Sequence, residues 1–411
     1  MRATWFIQAP LRIRIDPAPG APRVAPLRWP RLSIFRIGLP SMILRSACRR
    51  HSPLASLLAA AFAVPASAGA PLYHLEVLEA PGASSVQASD INDAGQIVGQ
   101  YLDADFNGRA VLWDADGSVH ELGLPAMGDG AATAINDDGT IVGTFLDYVN
   151  PVAGLLWQAS APGDWTQLGG SDVNVSPEDI SDSGVVVGGF GLPAQSRAFV
   201  WTAQDGLVDY GLEDPGEEFQ QARWSAVNAS GKLVGHWNVH SSDIHAVVGE
   251  VGTPAVLAMG GMSTDFPSAA TSVNGAGVAV GLALAEATPD LVPVVFADDG
   301  SYSEIPGATL DQGSGCAAAI NDSGVIVGSA GIGSASGCAP GMKAWVYRDG
   351  QVHDLYEVVD DTSIFTSFQI ARAINSAGVI VGMGRTADDQ VATFVLTPID
   401  ADAVFADGFD G

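Results

Sequence analysis

The nine residues Ile91-Asn92-Asp93-Ala94-Gly95-Gln96-Ile97-Val98-Gly99 return six more times along the chain, at 135–143, 180–188, 227–235, 273–281, 320–328 and 374–382. Each copy reads apolar, Asn, two small or polar residues, Gly, any residue, two apolar residues, Gly, and only Ser181 breaks the Asn column. A unit repeated at this interval cannot bury its own apolar surface and has to pack on its neighbours, which reduces the available folds to repeat arrays.

The physics of the unit is that of a tight β-hairpin. Asn can close a turn onto the backbone, and Gly can take the positive φ that a side chain would penalise. Asn92, Asn136, Asn228, Asn274, Asn321 and Asn375, with Gly95, Gly139, Gly231, Gly277, Gly324 and Gly378, are therefore read as turn residues and not as catalytic ones. The run after the turn is apolar on successive residues, as in a strand covered on both faces. The closing glycines at 99, 143, 188, 235, 281, 328 and 382 mark close backbone approaches. A third strand follows, as in Ala110-Val111-Leu112-Trp113 and Ala198-Phe199-Val200-Trp201, and its aromatic column reads as core. A fourth follows a Gly-containing turn, as at Ser118 to Gly123 and Gln351 to Leu355.

Four strands every 44 to 54 residues, seven times, predict an all-β, seven-bladed propeller. The ends support closure: the seventh copy stops at its third strand, Thr393 to Thr397, while an unpaired strand, Leu72 to Leu78, precedes the first. If that N-terminal strand completes the last blade, no edge is left free. The alternative is a β-solenoid or an open repeat array, which would want polar caps at both ends, and none is evident.

The motifs Ala134-Ile135-Asn136 through Ile141-Val142-Gly143, Arg197-Ala198-Phe199-Val200-Trp201 and Gln167-Leu168-Gly169-Gly170 resemble those of proteins built of the HAF repeat, an extracellular repeat named for a His-Ala-Phe triplet. The resemblance covers about residues 85 to 398, and His245-Ala246-Val247 departs from the triplet by one residue. It implies exported β-structure and carries no activity with it.

Charge divides the chain. Ten of its eighteen basic residues, all Arg, lie in the first fifty positions, where Asp16 is the sole acid. Arg45, Arg49 and Arg50, the apolar run Leu54 to Val64 and Ala66-Ser67-Ala68 read as a signal peptide cleaved after Ala68, with Met42 as the natural start. Three segments follow: a leader and signal at 1–68, the propeller at 69–398 and an acidic tail at 399–411. Beyond residue 68, eight basic residues stand against forty-five acidic ones, a net charge of −37. Such a surface repels nucleic acid and anionic lipid. The chain beyond the signal has no membrane-spanning run and is expected to be a monomer.

Cys316 and Cys338 are the two cysteines left beyond the signal, and in an oxidising compartment they predict a disulfide. Asp103, Asp105 and Asn107, with Asp114 at the twelfth position, fit the opening pattern of a calcium loop, although Arg109 would crowd it. No nucleophile elbow, zinc spacing or phosphate loop is present, and no cofactor beyond calcium is indicated. The expected function is that of an exported, non-enzymatic protein binding an extracellular protein, a glycan or a surface component through propeller loops. The alternatives are a propeller hydrolase or lyase using acidic residues in the central channel, and a structural or adhesive surface protein.

Overall fold

A computed structural model describes residues 72–192, 195–210, 221–238, 244–259, 267–285, 288–331, 333–334, 337–338 and 339–399. The expected leader and signal peptide at 1–68, and all but the first residue of the acidic tail, lie outside the described residues. The rest forms seven four-stranded antiparallel sheets, the blades of a propeller. Blade 1 comprises Ser85–Ile91, Ile97–Leu102, Gly108–Trp113 and Val119–Glu121, from the innermost strand outward. Blades 2 to 6 repeat this order, with inner strands Asp129–Ile135, Asn174–Ile180, Gln221–Val227, Ser268–Val273 and Gly315–Ile320. Blade 7 has Phe365–Ile374, Ile380–Thr386 and Val391–Pro398, and its outer strand is Tyr73–Leu78. Tyr73 to Leu78 pair antiparallel with Pro398 to Thr393, so the first strand of the propeller closes the ring on the last blade.

Inner strands of neighbouring blades touch all the way round. Between blades lie the apolar layers that hold the ring together, as where Val98, Leu112, Ala132, Ile141, Leu155 and Trp157 join blades 1 and 2. Burial of such side chains contributes about 1.5–3 kcal/mol each before entropy is counted. The aromatic column is core as expected: Trp113 and Trp157 are buried and donate their indole N–H to Glu79 O at 2.8 Å and Gly123 O at 2.7 Å. Gly249, the gap in that column, has a local cause. The ring of Trp224, on the inner strand of the same blade, occupies the space, and a Cβ at 249 would come within 2.8 Å of it.

The closing glycines answer to a bulge. Each inner strand shifts register two to four residues before the turn, as between Ala88 and Asp90 opposite Gly99 and Val98. The bulge pushes a carbonyl beneath the glycine, and a Cβ at Gly99 would stand 2.1 Å from Gln87 O. The same contact recurs at 2.1–2.2 Å beneath Gly143, Gly188, Gly235, Gly281, Gly328 and Gly382. The fourth strands of blades 4 and 5 are Thr253–Met259 and Tyr302–Glu304. Cys316 and Cys338 form a disulfide, with Cα atoms 5.4 Å apart, that ties the inner strand of blade 6 to a small hairpin. Among the described residues no helix is long and apolar enough to cross a membrane.

Candidate functional site

The two ends of the ring are built differently. At the turn end, each Asn does two jobs. Its Oδ1 accepts the backbone N–H four residues on, as from Gln96 to Asn92 at 2.9 Å and from Thr140 to Asn136 at 2.8 Å, while the following Gly takes φ near +80°. Its Nδ2 then donates across the blade boundary to the carbonyl of the matching residue in the next blade. These bonds run from Asn92 to Asn136 at 3.1 Å, Asn136 to Ser181 at 3.0 Å, Asn228 to Asn274 at 2.9 Å, Asn274 to Asn321 at 3.2 Å, Asn321 to Asn375 at 2.9 Å and Asn375 back to Asn92 at 3.1 Å. The buried asparagines thus cement six of seven junctions. Ser181 cannot reach across, and its hydroxyl bonds Ser183 at 2.9 Å and the Val185 N–H at 3.2 Å instead.

The turn-end mouth of the channel is acidic, with Asp93, Asp137, Asp182 and Asp322 at the rim and Asp90 and Asp179 deeper. These carboxylates are engaged in holding blades together. Asp137 accepts the Asp93 amide at 2.8 Å, Asp182 that of Asp137 at 3.1 Å, Asp322 that of Gly275 at 2.7 Å and Asp93 that of Ser376 at 2.7 Å. Asp90 bridges the amides of Ile91 at 2.8 Å and Ile135 at 3.0 Å, and Asp179 those of Ile180 and Val227, both at 2.8 Å. Burial pushes the Asp90 carboxyl up to about 7 and that of Asp179 to about 6, against the pull of those amides. No Arg, His or Tyr lines this mouth among the described residues.

The loop end carries the exposed apolar surface. Of the eleven large hydrophobic side chains exposed among the described residues, eight lie there: Phe106, Met127, Tyr148, Val149, Leu192, Met342, Ile364 and Val391. Met127 is 94% exposed, Val149 87%, Phe106 74% and Tyr148 71%. The first five fall on blades 1 to 3. Phe106 and Tyr148 both have φ of +63°, a region a bulky side chain enters at a cost of about 1–3 kcal/mol. Their loops are drawn tight by carboxylates: Asp147 accepts the amides of Val149 and Asn150 at 3.0 and 2.8 Å, and the Tyr148 hydroxyl donates to Asp129.

The residues singled out for calcium do not converge. Asp103 and Asn107 face each other, but Asp103 is filled by the Asn107 side chain at 3.0 Å and by Arg109 Nη2 at 3.0 Å, contacts that hold its carboxyl down at about 2. Asp105 is exposed, its amide donating to Asp103 at 2.9 Å. Asp114 follows the opposite end of the strand Gly108–Trp113, about 20 Å away at a strand's ~3.3 Å per residue, where it meets Gln96 and His120. Among the described residues no group of three or more His, Cys, Asp or Glu is placed to hold a metal.

Also at the loop end, a cavity of about 350 Å³ opens between blades 3 and 4, lined by Asn174, Gly189, Phe190, Ser196, Arg223 and His236 among others. Arg223 Nη1 lies 2.9 Å from Glu178 Oε1 across the junction. Burial, with the Arg223 charge beside it, pushes the His236 imidazole down to about 4, and its Nδ1 is buried without a hydrogen-bond partner. This cavity was not legible in the sequence, because its lining runs from Val152 to His236 and only the fold brings those residues together.

No family model matches the chain, and no curated protein does. Among solved structures it is similar to the β-propeller domain of the Trilobed protease from Pyrococcus furiosus, with 10% identity, a TM-score of 0.50, and coverage of 80% of this chain and 98% of that one. It is also similar to puromycin hydrolase, at 13% identity and a TM-score of 0.51, covering 78% of this chain and about half, 54%, of the other. At such identity the likeness is one of fold. The first of these is described as having an open velcro topology, whereas the ring here is closed by Tyr73–Leu78.

Proposed function

We propose that this chain is an exported, ring-shaped binding protein that docks a polypeptide partner on the loop end of blades 1 to 3. The observation that carries the reading is the segregation of exposed apolar side chains: Phe106, Met127, Tyr148, Val149 and Leu192 stand on neighbouring loops at one end, far more exposed than a solvated surface requires. Aromatic residues and Met are the types that anchor protein interfaces. Two of the five are held in a left-handed conformation that glycine would adopt without strain, which argues that the side chain is kept for what it contacts.

The chemistry of the partner follows from the charges between these anchors. Asp103, Asp105, Asp129 and Asp147 stand among them, with Arg109 already paired to Asp103. The complement is a segment presenting apolar side chains flanked by Lys or Arg. The arginine-rich start of the chain and the likeness to HAF repeats support export. The hydrolase alternative would draw on the channel carboxylates, several of which accept backbone amides across the blade junctions.

A photo-crosslinking amino acid placed at Met127, and separately at Ala229 on the turn end, tests the proposal in cells that produce the protein. A discrete adduct from position 127 and none from 229, mapping to an apolar segment flanked by basic residues, is the expected result. Adducts of equal yield from both positions, none from 127, or a mapped segment without basic residues would contradict it.

A further inference from the structure

Seven of the eight basic residues beyond residue 68 stand in ion pairs with Asp or Glu, as Arg109 does with Asp103 and Lys343 with Asp354. Arg372 is the eighth. Although forty-five acidic residues lie in the same part of the chain, it has no ion pair among the described residues, and its Nε is buried without a hydrogen-bond partner. Burial lowers the pKa of the guanidinium, and no neighbouring charge acts on it. It stays charged all the same, because an arginine does not lose its proton in a protein.

The repeat shows where this charge stands. In each inner strand the bulge nearest the turn leaves one residue unpaired: Ser89, Thr133, Glu178, Ser225, Thr271 and Ala318 in blades 1 to 6, and Arg372 in blade 7. The threonines mark the direction of this position. Thr133 Oγ1 donates to Pro177 O at 3.0 Å and Thr271 Oγ1 to Ala317 O at 2.7 Å, each on the inner strand of the following blade. The residue after the bulge, Asp90, Asp179 or Ser272, lines the cavity at the turn-end mouth. Arg372 therefore lies one residue deeper than that mouth, on the wall of the central channel where blade 7 meets the inner strand of blade 1. Its neighbours at this level, Ala318 and Ser89, carry no charge.

We infer that Arg372 is the seat of a small monocarboxylate bound in the central channel. A guanidinium offers two parallel N–H groups, a fork that fits the two oxygens of a carboxylate, and a ligand on that edge would satisfy the unpartnered Nε. Glu178, the one other charged residue at this level, is paired to Arg223 at 2.9 Å. The acidity of the chain opposes a second negative charge on the ligand, which disfavours phosphate and sulfate. The ligand is small because it enters between the inner strands, where the mouth cavity measures about 260 Å³, below the ~300–1,000 Å³ of ordinary small-ligand sites.

The test is titration of the chain from residue 69 onward with sodium acetate and formate at pH 7, by saturation-transfer NMR, with chloride and inorganic phosphate as competitors at matched ionic strength. Acetate or formate is expected to bind with a Kd of about 10 mM or tighter, at least about ten-fold tighter than either competitor. Arg372→Met, which removes the charge and keeps an unbranched side chain, should abolish binding. Arg372→Lys keeps the charge without the fork and should weaken binding at least about five-fold, so it decides the matter if Arg372→Met misfolds. No carboxylate binding at about 100 mM, chloride or phosphate binding as tightly, or unchanged affinity in either variant would overturn the inference.

Discussion

Asn136 shows how much one side chain carries in this ring. Its Oδ1 holds the Thr140 amide at 2.8 Å and its Nδ2 the Ser181 carbonyl at 3.0 Å, both out of water. Asn136→Ala removes both bonds and leaves a buried amide and carbonyl unmet, so chemical denaturation should show a loss of about 2–4 kcal/mol. Phe106 predicts the opposite balance. Phe106→Gly relieves a φ of +63°, so the melting temperature should not fall, while adduct formation at the neighbouring Met127 should drop several-fold. A marked loss of stability would mean that the ring of Phe106 packs on the protein itself.

At the level of elements, the hairpin and its recurrence were legible because local chemistry dictates them: Asn-x-x-Gly turns, positive-φ glycines and paired apolar runs need no tertiary context. Closure by Tyr73–Leu78 was legible too, since a strand too many at one end matched a strand too few at the other. The second role of the asparagines was not. The bond from Asn92 to Asn136 joins residues 44 apart, and only the curvature of the ring brings them together. The same holds for the ion pair of Glu178 and Arg223, which come from two blades, and for Asp114, which sequence spacing placed beside Asp103 and a strand carries away. Ser181 was visible as an exception but its meaning was not. Ser181→Asn should restore the missing bond to the Asn228 carbonyl and raise stability by about 0.5–1.5 kcal/mol in urea unfolding. A loss would show that the junction between blades 3 and 4 cannot close to the spacing of the other six.

For the whole molecule, burial of Asp90 and Asp179 makes stability depend on pH. Their folded values of about 7 and about 6 lie above the unfolded value of 3.8, so the stability tied to their protonated forms is complete below about pH 4 and is lost as pH rises through 7. His236 acts in the opposite sense, losing stability as pH falls from 6.5 towards 4. Between pH 6.5 and 8 only the Asp90 end of the first window remains, and the melting temperature should fall by about one degree across it. Carboxyl-carbon NMR giving Asp90 a midpoint near 4 would contradict this.

The two ends of the ring divide the labour: asparagines and carboxylates at the turns build it, and the loops of blades 1 to 3 are proposed to meet the partner. Hydrogen–deuterium exchange of the chain, free and saturated with the segment captured at position 127, measures that division directly. Added protection should fall on amides of residues 103–109, 125–130 and 147–151, with none at the turns 92–95, 136–139 and 274–277. Protection concentrated at the turn end, or spread evenly over both, would contradict it.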